Sequence, residues 1–116
     1  MKLAIVGTRD FTDKDLFLRE IEAIRSNHQI DTIISGGATG ADSLAEIYAA
    51  ENSIAIIIHR PEWSRYGRSA GPRRNALIVQ DSDMMIAFWD GKSRGTLSSI
   101  NLAKAKGIPL KIVRYV

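Results

Sequence analysis

Thr32-Ile33-Ile34-Ser35-Gly36-Gly37-Ala38-Thr39-Gly40-Ala41-Asp42 is the stretch on which the fold turns. A short β-branched run ends in a glycine-rich turn. The turn opens straight into a helix, started by Thr39 and Asp42, with Ala41, Leu44, Ala45, Tyr48 and Ala49 on one face. Strand, tight turn and helix in that order form half of a βαβ unit.

Working outward, the same unit recurs. Leu3–Val6, Ile54–Ile58, Met84–Phe88 and Leu110–Val113 are further apolar runs, continuous rather than alternating, which is the pattern of strands buried on both faces. Helical signals fill the gaps. Thr12 with Asp15 resembles a capping box, with Phe11 and Leu16 as its staple, and Phe17, Ile21 and Ile24 follow at helical spacing. Pro72 suits the first turn of a helix reaching about Gln80. A last helix begins near Thr96, presents Leu97, Ile100 and Ala103, and stops at Gly107 with Pro109 beyond. Strict alternation of strand and helix predicts an α/β fold. The expected architecture is a Rossmann-like three-layer sandwich: a five-stranded, mainly parallel sheet flanked by about four helices. Residues 1–116 are expected to form one domain.

Composition narrows the function classes. There is no cysteine, so disulfides, thiolate nucleophiles and zinc–thiolate sites are excluded. His28 and His59 stand far apart and give no metal-ligand spacing; His59 has no acid or nucleophile near it in sequence. No metal is expected. No apolar run, Ile54–Ile58 and Met84–Trp89 included, is long enough to span a bilayer, and the four-residue run Leu3–Val6 lacks the features of a signal peptide. The expectation is a cytoplasmic protein with no membrane partner.

A net charge of +3 is too mild to diagnose a nucleic-acid binder, but the distribution is informative. Arg60, Arg65, Arg68, Arg73 and Arg74 fall in one segment with no lysine and a single acid, Glu62. Arginine's planar fork suits bidentate phosphate recognition.

In open parallel sheets ligands bind beyond the carboxyl ends of the strands. Three loops there carry the unusual residues: Gly7-Thr8-Arg9-Asp10; Ser35 to Asp42; and Asp90-Gly91-Lys92-Ser93-Arg94-Gly95-Thr96. Glycines let the backbone approach a ligand, and free amides at helix N-termini attract anions. The expected phosphate-binding set is Gly7, Thr8, Arg9, Ser35, Gly36, Gly37, Thr39, Gly40, Asp42, Arg73, Arg74, Asn75, Asp90, Ser93, Gly95 and Thr96. Trp63 and Tyr66 stand among the arginines, where either could stack on a base. A nucleotide-type ligand is therefore expected, with no further cofactor. Trp89 reads as packing against the last helix, and Asp81 and Asp83 as turn residues.

These motifs also carry a resemblance. Val6-Gly7-Thr8-Arg9, Ile34 to Asp42, Gly71-Pro72-Arg73-Arg74-Asn75 with Asp81-Ser82-Asp83, and Ser93-Arg94-Gly95-Thr96 are similar to the Smf/DprA–LOG (SLOG) superfamily. Trp63 to Arg68 with Phe88-Trp89-Asp90-Gly91 resembles its small stand-alone branch related to YspA and YpsA. The resemblance implies a Rossmann-like domain that binds nucleotides or their derivatives, as a sensor or sequestering module, and that forms homo-oligomers. LOG members are phosphoribohydrolases, and Arg74 is the position onto which their catalytic arginine carries over. Their glutamate has no counterpart, since Gly95-Thr96 is followed by Leu97, Ser98, Ser99 and Ile100. A glycosidase-like transition state needs a carboxylate, so Asp42, Glu46 or Asp90 would have to supply it. DprA-like members bind single-stranded DNA, which gives a third reading of the arginine-rich segment.

Overall fold

The computed structural model describes residues 1–115. Its five strands are β1 (Lys2–Gly7), β2 (Thr32–Ser35), β3 (Ala55–Ile58), β4 (Met84–Trp89) and β5 (Leu110–Arg114). They form one sheet in the order β3-β2-β1-β4-β5, and every pairing is parallel. The helices are α1 (Lys14–Arg25), α2 (Ala41–Glu51), α3 (Trp63–Tyr66), α4 (Ala70–Asp81) and α5 (Arg94–Lys106), with a 3-10 turn at Gly67–Ser69 between α3 and α4.

Strand alternation sorts the core into two layers. Leu3, Ile5, Ile33, Ile86 and Phe88 face Phe17, Ile21 and Ile24 of α1 and Ala41, Ala45, Tyr48 and Ala49 of α2. The intervening residues Ala4, Val6, Ile34, Met85 and Ala87 face Ile78 and Val79 of α4 and Ile100 and Ala103 of α5. Phe88 stacks between Phe11 and Phe17, with ring centroids 4.7 and 5.3 Å away. Trp89 packs against the second layer, which α5 helps to build.

The chain first winds outward from β1 to β3, placing α1 and α2 on one face. It then returns past β1 to β4, with α4 and α5 on the other face. The winding reverses between β1 and β4, so the loops beyond their carboxyl ends diverge and leave a crevice.

Several expectations are corrected. β3 and β5 are sheet edges, and Ile57 is 38% exposed although its run reads as fully buried. Asp13, not Thr12, caps α1, its side chain accepting from the Leu16 amide at 3.0 Å. α4 starts at Ala70, two residues before Pro72, which still sits in the first turn where a missing N–H is harmless. The segment after β3 contains α3 and the 3-10 turn instead of an irregular loop. His59 does have an acid beside it: α4 brings Asp81 Oδ2 to 2.6 Å from His59 Nε2. Asp83, expected as a turn residue, instead ties the start of β1 to the segment before β4, its carboxylate accepting from the Lys2 amide at 2.8 Å. No helix among the described residues is long and apolar enough to cross a membrane.

Candidate functional site

Two glycines press α2 against the end of β1. A Cβ on Gly7 would lie 2.6 Å from the Ala41 Cβ and 2.7 Å from the Phe88 carbonyl oxygen. Gly40 has a φ of +75°, and the place of its Cβ is taken by the carbonyls of Thr8 and Arg9. Only glycine permits this approach. The Thr39 hydroxyl adds a bond to the Arg9 carbonyl at 3.1 Å, so it belongs to the same junction.

The loop Ser35–Gly37 is held from outside by its carbonyls. That of Ser35 accepts from the His59 amide (2.8 Å), that of Gly36 from Arg74 Nη1 (2.7 Å), and that of Gly37 from Arg60 Nη1 (3.1 Å). The amides turn to side chains of the chain itself: that of Gly37 donates to Ser35 Oγ at 3.4 Å, and that of Ala38 to Asp42. Its Oδ2 accepts from the Ala38 amide at 3.0 Å, and the Gly36 amide also favours its charge. Successive amides at a helix start form an anion nest, and here a carboxylate fills it. Burial raises the Asp42 pKa above the ordinary carboxylate value; the Ala38 amide and nearby Arg74 oppose that shift without cancelling it.

Asp42 forms one wall of a recess of about 70 Å³ over Val6 and Gly7, several times the volume of about 10–15 Å³ that one water needs. Arg74, Asn75 and Ile78 of α4 make a second wall, and Ser93, Gly95, Thr96 and Ser99 a third. The recess opens into a wider mouth of about 420 Å³ bordered by Gly36, Gly37, Thr39, Arg60, Pro61 and Trp63. Arg9, Ala38 and Arg74 border both compartments.

Arg74 is the hinge of this arrangement. Its Nε donates to Asn75 Oδ1 at 2.8 Å, and Asn75 Nδ2 donates to the Gly95 carbonyl at 3.3 Å, tying α4 to α5. A Cβ on Gly36 would displace the guanidinium from its present position. Burial lowers the Arg74 pKa, helped by the like charge of Arg9 and opposed by Asp42. Arg74 Nη2 has no hydrogen-bond partner among the described residues.

At α5, the Ser93 hydroxyl caps the Thr96 amide at 3.3 Å and bonds the Thr96 hydroxyl at 3.2 Å. The Asp90 carboxylate accepts from the Ser93 and Lys92 amides, both at 2.8 Å, and these bonds hold its pKa below the ordinary value. The Arg94 and Gly95 amides, first in the helix, are free of such caps. Nothing lies within 4 Å of where a Gly95 Cβ would be.

Of the expected residues, Gly7, Arg9, Asp42, Arg74, Asn75, Ser93, Gly95 and Thr96 meet at the recess, and Gly36, Gly37, Thr39 and Trp63 at the mouth. Others stand elsewhere. Thr8 and Ser35 are buried supports, and Gly40 belongs to the helix junction. Glu46 lies one helical turn beyond Asp42 and borders neither compartment, while Asp90 faces a separate depression with Asp10 and Tyr115. Arg73 donates to the Ser69 hydroxyl (3.1 Å) and covers the Tyr66 ring at 4.3 Å, which Arg65 also covers at 4.9 Å. The Tyr66 ring is thus engaged with arginines outside the crevice. Trp63, 53% exposed, is the aromatic at the mouth. Sequence reasoning missed Ile78 and Ser99, and it singled out Arg60 only as part of the arginine-rich segment. Ser99 follows Thr96 by three residues, a helical spacing that could have found it. Among the described residues no three His, Asp or Glu side chains gather to hold a metal.

Comparison with known proteins adds to this geometry. Residues 1–66 match the family described as the YspA, cpYpsA-related SLOG family. The gene 61 protein of Mycobacterium phage D29 is 30% identical over 117 residues, covering 94% of this chain and 93% of that protein. DNA processing protein A (DprA) from Streptococcus pneumoniae superposes with a TM-score of 0.76 at 20% identity over 99% of this chain. DprA from Helicobacter pylori, described for its single-stranded DNA binding mode, gives 0.76 at 24% identity over 100% of this chain. This chain spans 50% and 66% of those two proteins, and at such identities they establish the fold alone.

Proposed function

The chain belongs to the YspA, cpYpsA-related SLOG family, and we propose that its crevice binds a nucleotide or nucleotide-derived phosphorylated ligand, acting as a sensor or sequestering module within a single domain. One observation carries this reading: Arg74, a half-buried guanidinium with a free Nη2, stands across the recess from the uncapped amides at the start of α5. A cation partly withdrawn from water and facing free helix-start amides is a site for an anion. Arg9 adds a second positive charge on the same wall. The phosphate sits on Arg74, Arg9 and the Gly95 amide, away from the glycine loop after β2, where the Ala38 amide already holds the Asp42 carboxylate and the Gly37 amide bonds Ser35 Oγ. The base extends into the mouth and stacks on Trp63.

The test is a thermal-shift panel at fixed salt: nucleoside monophosphates, NAD, ADP-ribose, cyclic nucleotides, the bare nucleosides and a short single-stranded oligonucleotide. A ligand at a hundred times its Kd stabilises by about 2.7 kcal/mol, several degrees for a domain of this size. Shifts from phosphorylated ligands without shifts from their nucleosides support the reading. No shift from any small molecule rejects it.

A second reading has its own observation. Arg60, Arg65, Arg68 and Arg73 are all exposed, Arg60 beside Trp63 at the mouth, and DprA from Helicobacter pylori is described for its single-stranded DNA binding mode. On that reading only the oligonucleotide stabilises the protein, and its binding weakens steeply with salt. Base release from a nucleoside monophosphate would fall to Asp42, the one candidate carboxylate in the recess.

A further inference from the structure

Asp42 is the least expected group in a pocket for an anion. It is only 6% exposed, and it lies in the same recess as Arg74. Its Oδ2 is held by the Ala38 amide, but among the described residues no hydrogen-bond donor serves Oδ1. Every fully closed-off side-chain oxygen or nitrogen among the described residues has a partner, so the unpartnered Oδ1 is open to the outside, and Asp42 borders the recess. The chain therefore keeps a nearly buried carboxylate, at the cost of its desolvation, with one oxygen unsatisfied except by what enters.

We infer that Asp42 determines the specificity of the crevice: Oδ1 accepts a hydrogen bond from a sugar hydroxyl, so the site takes a nucleotide with an intact 2′,3′-hydroxyl edge. The inference rests on the nucleotide reading above and adds which part of the ligand goes inward. A phosphate cannot face Asp42, because two anions in a partly dry recess repel. The phosphate therefore points to Arg74 and the α5 amides, and the group meeting Asp42 is a neutral donor. Thr96, Ser99 and Asn75 complete the recess with hydroxyl and amide groups. This mixture suits a hydroxyl, which donates to Asp42 and accepts from a neighbour at once. A flat base finds no aromatic wall in the recess; Trp63 stands at the mouth. The same carboxylate disfavours a phosphodiester strand threading the recess.

The experiment measures, by titration calorimetry on the full chain, each of the four ribonucleoside 5′-monophosphates against its 2′,3′-dideoxy counterpart. A hydrogen bond to a charged acceptor that is lost on binding leads to an expected weakening of about tenfold or more for the dideoxy form. Asp42→Asn should narrow that gap to about threefold or less, since an amide is a weaker acceptor and one of its faces is a donor. Equal affinity of the wild type for the two forms overturns the inference while leaving nucleotide binding standing. A gap that persists in Asp42→Asn overturns it too, because the hydroxyls are then read elsewhere. Binding of neither form overturns both readings. The wild-type comparison decides the matter even where the variant fails to fold.

Discussion

Replacing Arg74 with alanine separates its two roles, and the structure sets the size of each. Toward a phosphate it offers Nη2 across from the α5 amides, one charge-assisted hydrogen bond worth about 1.5–3 kcal/mol. Its loss weakens a phosphorylated ligand by about 10- to 150-fold. A bare nucleoside meets Trp63 and the sugar-facing wall but not this group, and its affinity should change by less than about threefold. Within the protein, Arg74→Ala removes the bonds to the Gly36 carbonyl and Asn75 Oδ1. Gly36 borders the mouth and Asn75 the recess, both of which water can refill, and the variant no longer withdraws a charge from solvent. The net stability loss is therefore modest, about 1–2 kcal/mol, a drop of about 4–8 °C in Tm. Calorimetry with a nucleoside monophosphate and its nucleoside, on wild type and variant, reads the first effect; thermal melts read the second. Arg74→Lys keeps the charge without the planar fork and should recover only part of the affinity. Equal losses for nucleotide and nucleoside would refute the phosphate role and leave Arg74 a brace of the Gly36 loop.

Other perturbations address other parts of the construction. Gly7→Ala sets a Cβ 2.6 Å from that of Ala41, well inside ordinary contact; overpacking costs about 1–3 kcal/mol, and Tm should fall by about 4–12 °C. A change under about 2 °C would mean that α2 and β1 can part freely. Trp63→Ala, at an exposed position, should alter stability by about 0.5 kcal/mol or less yet weaken base-bearing ligands by about 1–3 kcal/mol in calorimetry; unchanged binding removes it from the site. Asp42→Asn carries a pH signature. Because the folded Asp42 has a raised pKa, its contribution to stability is full below the ordinary carboxylate range and is lost as pH rises through the raised value. At neutral pH the amide should therefore be the more stable protein, with the difference closing in acid. Urea denaturation across that range is the check, and a less stable amide at neutral pH contradicts the burial argument.

Most of the fold was legible because each local signal agreed with the next. Continuous Ile- and Val-rich runs marked the strands, and Phe17, Ile21 and Ile24 marked α1 by their spacing. What stayed hidden has no local signature. α3 and the 3-10 turn contain no buried residue, so no apolar period announces them. Ile54–Ile58 reads like a central strand, and only the order β3-β2-β1-β4-β5 makes it an edge. His59 and Asp81 lie 22 residues apart and meet through the crossover of α4.

The site was legible in residue type but not in allocation. Glycine-rich turns after β1, β2 and β4 all read as phosphate loops, since glycine exposes amides wherever it stands. Tertiary contacts decide who receives them. Gly7 and Gly40 let α2 approach β1, and Gly36 makes room for the Arg74 guanidinium. The Ala38 amide goes to Asp42. Gly95 alone of these faces open space. The glycine loop after β2 thus mounts a carboxylate, and on the proposed reading the anion goes to α4 and α5, beyond the 1–66 segment of the family match. A relative that kept the Gly36–Asp42 loop but changed Arg74 or Gly95 would keep the fold and the hydroxyl-reading carboxylate while losing the phosphate. On the proposed reading the first half of the chain sets which sugar is read, and the second half sets whether a phosphorylated ligand stays.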